Sequence, residues 1–287
     1  NVRVRLMATT TGKKKTALVV EGGGMRGIFT AGVLDYFMEK KFAPFDEYYG
    51  VSAGSCNLAS HLGGQYRRNY NCYAEYMLMN EFFSMRKYFA GGHFMDLDWL
   101  WDYLSIKEPL NAKKASKSKL FVVTTDVDTG EPAYIRAEND SLADYLKASS
   151  SLPLLYRGFV EIEGRRFVDG GIGDPIPVIQ AAQSGAKRIM VLRTRPAGYI
   201  KKSFTESRLI PLLFSKYPNL QKAMKKRDDK YNRSVEYILN PPKGIDVIHI
   251  CPNGMKTGRT TKDKSFIDDD YELGRKAGED ALKKWKM

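Results

Sequence analysis

The chain has 287 residues, of which 43% are hydrophobic, and this length suffices for one large α/β domain or two smaller ones. No apolar run approaches the roughly 18 residues that a membrane-spanning helix needs, which excludes such a helix in this sequence. The formal net charge of +13 indicates a polyanionic partner, either nucleic acid or an anionic lipid surface, unless the charge serves only solubility.

Short apolar runs alternate with helical patterns along most of the chain. This alternation is typical of a mostly parallel sheet that helices cover on both faces. The predicted strands are residues 17–20, 48–51, 120–124, 189–192 and 245–250. The predicted helices are residues 27–40, 54–62, 142–149, 176–184 and 270–285.

Three stretches interrupt this alternation. Residues 65–104 are rich in aromatic side chains and are predicted to be helical, and residues 206–239 predict a basic helical insert. Both are candidates for a cap over a site. The polar stretch 105–119 predicts a surface loop or a frayed helix. We expect residues 15–195 to form the core, and residues 196–287 to pack on the same domain with the basic insert, the last strand and the last helix.

The number and spacing of the cysteines indicate the cellular compartment of the protein. Cys56, Cys72 and Cys251 are an odd number of cysteines and lack the spacing of zinc ligands, so neither a disulfide framework nor a zinc site is predicted. We expect reduced core thiols in a cytoplasmic protein, with peripheral membrane contact as a further option. The chain begins with Asn1, which leaves a signal peptide open.

A glycine-rich loop follows the first predicted strand. Gly22, Gly24 and Gly27 have the spacing G-x-G-x-x-G, and such a loop before a helix directs backbone amides at negative charge. A P-loop would need Lys where the chain has Ile28, and a dinucleotide site would need an acidic residue where it has Ser52. A transition-state oxyanion is therefore the predicted ligand, and a nucleotide-dependent enzyme is the alternative. The predicted oxyanion loop comprises Gly22, Gly23, Gly24, Met25, Arg26 and Gly27.

A second glycine motif follows the second predicted strand. Residues 50–54 have the pattern G-x-S-x-G between a short strand and a helical stretch. Gly50 and Gly54 allow a tight turn that exposes the oxygen of Ser52 above the sheet. If the first two strands are parallel neighbours, both glycine loops lie side by side at one sheet edge. The pattern therefore predicts Ser52 as a nucleophile, whereas a serine that only caps a helix is the structural alternative.

The residues alone leave the general base open. The order Ser52, Asp169, His249 satisfies an α/β-hydrolase triad, but His249 lies in the alternating run IDVIHICP, which is typical of a strand. Asp169 follows an apolar strand end and precedes two glycines, where an aspartate can also simply cap its own turn. The other histidines are His61 and His93.

Three motifs, in their order and spacing, resemble those of the patatin-like phospholipases. They are the glycine loop at 22–27, the elbow at 50–54 and the turn Asp169-Gly170-Gly171. The segments TTDVDTGE at 124–131 and ASSSLP at 148–153 also resemble segments of that family. The resemblance extends from about Lys15 to Leu192.

This resemblance implies a three-layer α/β/α fold with a mostly parallel sheet and helical cap insertions. It also implies a serine acyl-ester hydrolase of the lipase, phospholipase A or lysophospholipase type, with neither a metal nor another cofactor. Ser52 would attack the ester carbonyl of a lipid, and Asp169 would accept its proton in a dyad without histidine. Amides of the glycine loop would stabilise the oxyanion.

The basic charge supports a third hypothesis, a non-catalytic protein that binds membranes or nucleic acid. Residues 199–287 carry 20 Lys and Arg against 12 Asp and Glu, but no nucleic-acid-binding motif is recognisable. We therefore expect a lipid acyl ester as the substrate, peripheral contact with anionic membranes, and no nucleic acid. The oligomeric state stays open.

Overall fold

A computed structural model describes residues 14–136, 138–202 and 214–287 of the chain. Within these residues, eight strands form one sheet, which helices flank. The strands are β1 (Thr16–Val20), β2 (Glu47–Val51), β3 (Leu120–Asp126), β4 (Pro132–Ile135), β5 (Val160–Ile162), β6 (Arg165–Asp169), β7 (Arg188–Leu192) and β8 (Asp246–Ile250). The helices are α1 (Gly27–Glu39), α2 (Ala53–Leu62), α3 (Arg68–Ala74), α4 (Met85–Phe89), α5 (Leu97–Lys107), α6 (Ala112–Ala115), α7 (Leu142–Ser150), α8 (Gly170–Gly173), α9 (Val178–Gln183), α10 (Pro218–Leu239) and α11 (Lys264–Lys286).

Five strands form the parallel part of the sheet in the order β3-β2-β1-β7-β8. These are the five strands that the apolar runs predicted. The prediction of an α/β fold with a mostly parallel central sheet is therefore confirmed. The remaining strands β4, β5 and β6 are antiparallel to their neighbours.

Strand β3 has two partners on one of its edges. Val51 of β2 pairs with Val123, and Asp169 of β6 pairs with the next residue of β3, Thr124. Strand β4 pairs with residues Val122 to Thr125 along one edge of β3, so β2 and β6 both pair along the opposite edge. The end of β2 therefore meets the end of β6, and the residue that follows Val51 lies beside Asp169.

The sheet is buried on both faces because successive residues of its strands point to opposite sides. Leu18 and Val20 pack into a large core formed with helices α1, α2, α7 and α11. Ala17 and Val19 pack into a second core with helices α9 and α10. The molecule thus has the three layers that the resemblance implied.

The last helix, α11, packs against α1 so closely that the two backbones are in contact. A Cβ atom on Gly32 of α1 would lie 2.2 Å from the carbonyl oxygen of Tyr271, and one on Gly274 of α11 would lie 2.0 Å from that of Phe29. Both distances are shorter than any real contact, so the two helices approach this closely only because each has a glycine at the crossing.

Several predicted boundaries differ from the observed ones. Helix α11 begins at Lys264 rather than residue 270, because Asp263 caps it and accepts a hydrogen bond from the Ser265 amide at 2.9 Å. Residues 65–104 contain α3 and α4 and most of α5. Within the predicted insert 206–239, helix α10 covers 218–239, and residues 206–213 lie outside the described residues.

In the part of the chain that the structure describes, no helix is both long enough and apolar enough to cross a bilayer.

Candidate active site

Ser52 lies at a sharp turn between β2 and α2. Its backbone has φ 53° and ψ −131°, in the left-handed half of conformational space, where a residue with a Cβ atom is strained. A Cβ atom on Gly50 would lie 2.5 Å from the Cα atom of Ser55, and one on Gly54 would lie 2.4 Å from the Val20 carbonyl oxygen. Both glycines are thus required for the turn. The side chain of Ser52 makes no capping hydrogen bond to α2, so the alternative of a simple helix cap is wrong.

Hydrogen bonds hold this turn on both sides of Ser52. The Ser52 amide donates to the Ser149 hydroxyl at 2.8 Å, and that hydroxyl donates to the Val123 carbonyl at 2.6 Å. The Ser52 carbonyl accepts a hydrogen bond from the Ser55 hydroxyl at 2.6 Å. Ser149 belongs to the run of serines in the segment ASSSLP. That run was noted in the sequence, but it did not predict the hydrogen bond between Ser149 and Ser52.

Asp169 lies at the end of β6 and lines the same cleft as Ser52, whose side chain acts to lower the pKa of the Asp169 carboxyl group. The Asp169 Oδ1 atom accepts a hydrogen bond from the Gly171 amide at 2.8 Å, which is the turn cap considered as an alternative. Asp169 therefore caps its own turn and also lies beside Ser52. Its side chain is buried, and burial raises the pKa of this carboxyl group, whereas the positive charge of Arg227 and the neighbouring Ser52 side chain act in the opposite direction.

All three histidines of the chain are described, and none of them lines the cleft around Ser52. His249 lies in β8 and pairs with Val191, and burial lowers its pKa to about 4. His61 is buried in α2. His93 stacks on the ring of Tyr156.

The glycine loop packs directly on Ser52. A Cβ atom on Gly22 would lie 2.7 Å from the Cβ atom of Ser52, so only glycine allows this approach. The Gly22 carbonyl accepts a hydrogen bond from the Thr194 hydroxyl at 2.7 Å, which fixes the loop to the segment after β7. Gly24 has φ 58°, a conformation that glycine adopts without strain.

The amides of the predicted oxyanion loop fall into two groups. Those of Met25, Arg26 and Gly27 donate within the protein, the first of them to the Arg259 carbonyl at 3.0 Å. Those of Gly22, Gly23 and Gly24 donate no hydrogen bond to the described part of the chain.

The cleft around Ser52 has two chemically distinct ends. The first, which we name the apolar end, lies among hydrophobic side chains, including Met77, Phe82, Met95, Leu100, Trp101 and Leu155. Most of these come from the aromatic-rich stretch 65–104. The second, which we name the cationic end, has five basic side chains: Arg26, Arg195, Lys201, Arg227 and Arg259. A sixth, Arg68, also lines the cleft, but its charge acts on Cys56 and Cys72 and it is not counted with this end. The sequence indicated an excess of charge but did not predict this cluster.

Glu21 is the acidic group next to the glycine loop, and its charge is compensated inside the protein. Its carboxylate accepts a hydrogen bond from the Thr194 amide at 2.7 Å and lies 4.0 Å from the Nε atom of the fully buried Arg193. Arg193 in turn donates to the Tyr231 hydroxyl at 2.7 Å. The charge of Glu21 still acts on the cleft, where it raises the pKa of Arg26 and of Lys201 against the larger effect of burial.

Within the described residues, no group of three or more His, Cys, Asp or Glu side chains is arranged to hold a metal ion. Cys56, Cys72 and Cys251 are free thiols.

The chain is similar to several known proteins. A family model for patatin-like phospholipase matches residues 18–182, and a domain of unknown function (DUF6363) matches residues 217–287. The chain is 34% identical over 282 residues to the uncharacterized protein YjjU of Escherichia coli (strain K12). The aligned region covers 92% of this chain and 76% of YjjU. A structural comparison with VipD from Legionella pneumophila gives a TM-score of 0.39 and 14% identity, over 92% of this chain and 67% of VipD.

The patatin-like match spans more than half of the chain and includes the glycine loop, Ser52 and Asp169. The chain therefore belongs to the patatin-like phospholipase family of lipid acyl hydrolases.

Proposed function

We propose that the protein is a serine hydrolase of lipid acyl esters, of the lipase, phospholipase A or lysophospholipase type. Ser52 is the nucleophile and Asp169 is the general base. The observation that carries this proposal is the register of the sheet, which brings Asp169 beside Ser52 at a strained turn in one cleft. A serine hydroxyl needs a neighbouring base to attack an ester, and Asp169 is the acidic side chain beside it.

The first step forms the bond between Ser52 Oγ and the ester carbonyl carbon. The hydroxyl proton passes to the Asp169 carboxylate, and the carbonyl π electrons move onto oxygen. A tetrahedral oxyanion results. The N-terminus of α2 begins at Ala53, and its partial positive charge favours negative charge at this place.

The amides of Gly23 and Gly24 are the proposed donors to this oxyanion. They are available because they donate no bond within the described protein, whereas the amides of Met25, Arg26 and Gly27 are engaged. Loss of one such donor typically lowers kcat by about 10²–10³-fold. We therefore assign Met25, Arg26 and Gly27 to holding the loop rather than to the oxyanion.

The second step breaks the bond between the carbonyl carbon and the alcohol oxygen. The departing oxygen takes the proton from Asp169, and the acyl group stays on Ser52. Water then gives a proton to Asp169 and attacks the acyl-enzyme, and Ser52 recovers that proton as the fatty acid leaves. The dyad is restored, and ester plus water have become alcohol plus acid.

The experiment that tests this proposal is labelling with a fluorophosphonate, combined with hydrolysis of a p-nitrophenyl ester. We expect one label, at Ser52, and none in Ser52→Ala. Asp169→Asn keeps the size of the side chain but cannot take the proton, so kcat should fall by about 10²–10⁴-fold.

His249→Ala is the matched comparison, because it removes the alternative triad base. It should hydrolyse the ester at nearly the wild-type rate once thermal unfolding has shown that the variant is folded. A label on another serine, or a His249→Ala loss as large as that of Ser52→Ala, would contradict the proposal.

A further inference from the structure

The cationic end of the cleft is built mostly from residues outside the patatin-like match at 18–182. Arg195 and Lys201 follow strand β7, and Arg227 lies on helix α10. Arg259 lies in the connection between β8 and α11, inside the segment that matches the domain of unknown function. Of the five basic side chains, Arg26 alone belongs to the patatin-like part.

These positive charges face one another next to the dyad. Arg227 Nε donates to the Gly171 carbonyl at 3.0 Å, two residues from Asp169. Burial, and next the positive charge of Arg195, lower the pKa of Arg26 to about 10. Burial, and next the charge of Arg227, lower the pKa of Lys201 to about 7. Clustered cations repel one another, and an anionic ligand would relieve that repulsion.

The cationic end has unused hydrogen-bonding capacity. Arg26 is only 6% exposed, and its Nε atom has no hydrogen-bond partner among the described residues. A buried guanidinium donor without a partner is costly, so a ligand oxygen is the expected partner. Nearby acidic groups do not supply it: the charge of Glu21 acts on Arg26 without a hydrogen bond to its Nε atom, and Asp228 lies 3.9 Å from Lys201 Nζ.

The C-terminal segment holds this end of the cleft in place. The buried carboxylate of Asp270 on α11 accepts hydrogen bonds from the amides of Lys256 at 3.0 Å and Thr257 at 2.6 Å. The same connection then reaches the glycine loop, where the Arg259 carbonyl accepts from the Met25 amide at 3.0 Å. The cationic end is thus tied to the oxyanion loop through ordered backbone.

We propose that the cationic end binds the phosphate of the substrate and that the enzyme prefers acyl esters whose headgroup ends in a phosphomonoester over those capped with choline. This inference rests on the proposed hydrolysis of lipid acyl esters at Ser52. It assigns the C-terminal segment a role in recognising the headgroup.

A phosphomonoester fits this end because of its charge and its acceptors. It carries close to two negative charges near neutral pH and presents three oxygen acceptors, which suit several arginines at once. A choline cap would instead bring a quaternary ammonium group among the five cations. The apolar side chains of the same cleft are suited to the acyl chain.

The test compares two lysophospholipids with the same acyl chain, one ending in a phosphomonoester and one ending in phosphocholine. Wild-type protein should show a kcat/KM at least about tenfold higher for the phosphomonoester, the effect of one charge-assisted hydrogen bond or more. Lys201→Gln and Arg195→Gln should each lower this preference severalfold. The preference is a ratio measured on one preparation, so partial unfolding of a variant does not change it.

Lys225→Gln is the matched control, since it removes one positive charge from an exposed position of α10 that does not line the cleft. It should leave the preference unchanged. Glycerol 3-phosphate and inorganic phosphate, added as inhibitors of p-nitrophenyl ester hydrolysis, test whether the site instead holds a free anion.

Equal kcat/KM for the two lipids would overturn the inference, and so would inhibition by free phosphate without any headgroup preference. Hydrolysis of the p-nitrophenyl ester by Ser52 would in either case still support the proposed function, so the two failures are distinguishable.

Discussion

Two opposing influences act on the Asp169 carboxyl group. Burial raises its pKa and makes it a stronger base, while the positive charge of Arg227, the Ser52 side chain and the Gly171 amide stabilise its ionised form. Arg259 acts in the same direction as Arg227. The proposed base must be ionised in the free enzyme, so these neighbours determine how far activity extends toward acid pH.

Arg227→Gln should therefore shift the acid limb of kcat/KM to higher pH. The acid form of Asp169 cannot accept the Ser52 proton, so activity falls as the pH drops through the pKa of this group. Arg227 lowers that pKa, and its removal lets burial raise it further. The pH dependence of kcat/KM for a neutral p-nitrophenyl ester measures the shift, with Lys225→Gln as the control. An unchanged limb with a uniform loss at every pH would show that Arg227 only positions the turn at Gly171.

At the scale of the elements, the contact between α1 and α11 depends on glycine. In an exposed helix interior, glycine is less favourable than alanine by about 1 kcal/mol, so a glycine-to-alanine change there usually stabilises. At Gly274 the space for a methyl group is occupied by the Phe29 carbonyl oxygen, 2.0 Å from the Cβ position. The steric conflict should outweigh the gain in helix propensity.

Gly274→Ala should lower the free energy of unfolding by about 1–3 kcal/mol, the usual cost of overpacking a core. Urea unfolding followed by circular dichroism measures this change. Lys276→Ala on the exposed face of the same helix is the control and should stay within about 0.5 kcal/mol of wild type. If Gly274→Ala were as stable as wild type, the close approach of the two helices would not be present in solution.

The sequence predicted β1 and β7 because each is a nearly continuous apolar run that is largely buried, and it predicted β8 from an alternating run. It did not predict β4 or β5. Strand β4 has only four residues, all half-buried, and β5 has only three, so neither strand gives a periodic signal. Ser52 could be identified because glycines flank it in a motif of fixed spacing. The cationic end could not be predicted, because Arg195, Arg227 and Arg259 are far apart in sequence and only the fold brings helix α10 and the segments after β7 and β8 together.

At the scale of the whole molecule, the net charge of +13 is accompanied by exposed apolar side chains near the cleft. Met85 and Phe89 on α4 are 53% and 80% exposed, with Arg86 and Lys87 between them. The chain enters and leaves α4 through Phe82 and Met95, which line the apolar end of the cleft. Exposed apolar side chains next to basic ones are typical of a surface that meets an anionic bilayer.

We therefore expect the protein to sediment with anionic vesicles at low salt and far less with neutral ones. Each Lys or Arg near the charged surface contributes about 1 kcal/mol, and this attraction weakens as salt shortens the Debye length from about 10 Å at 0.1 M to about 3 Å at 1 M. Burial of a phenylalanine adds about 1.5–3 kcal/mol, which salt does not screen, so Phe89→Ser should weaken binding by tenfold or more. Leu239→Ser, at an exposed leucine at the end of α10, is the matched control and should bind as wild type does. Equal sedimentation with neutral and anionic vesicles would mean that the basic excess does not act in membrane binding, and wild-type binding by Phe89→Ser would exclude α4 from the contact.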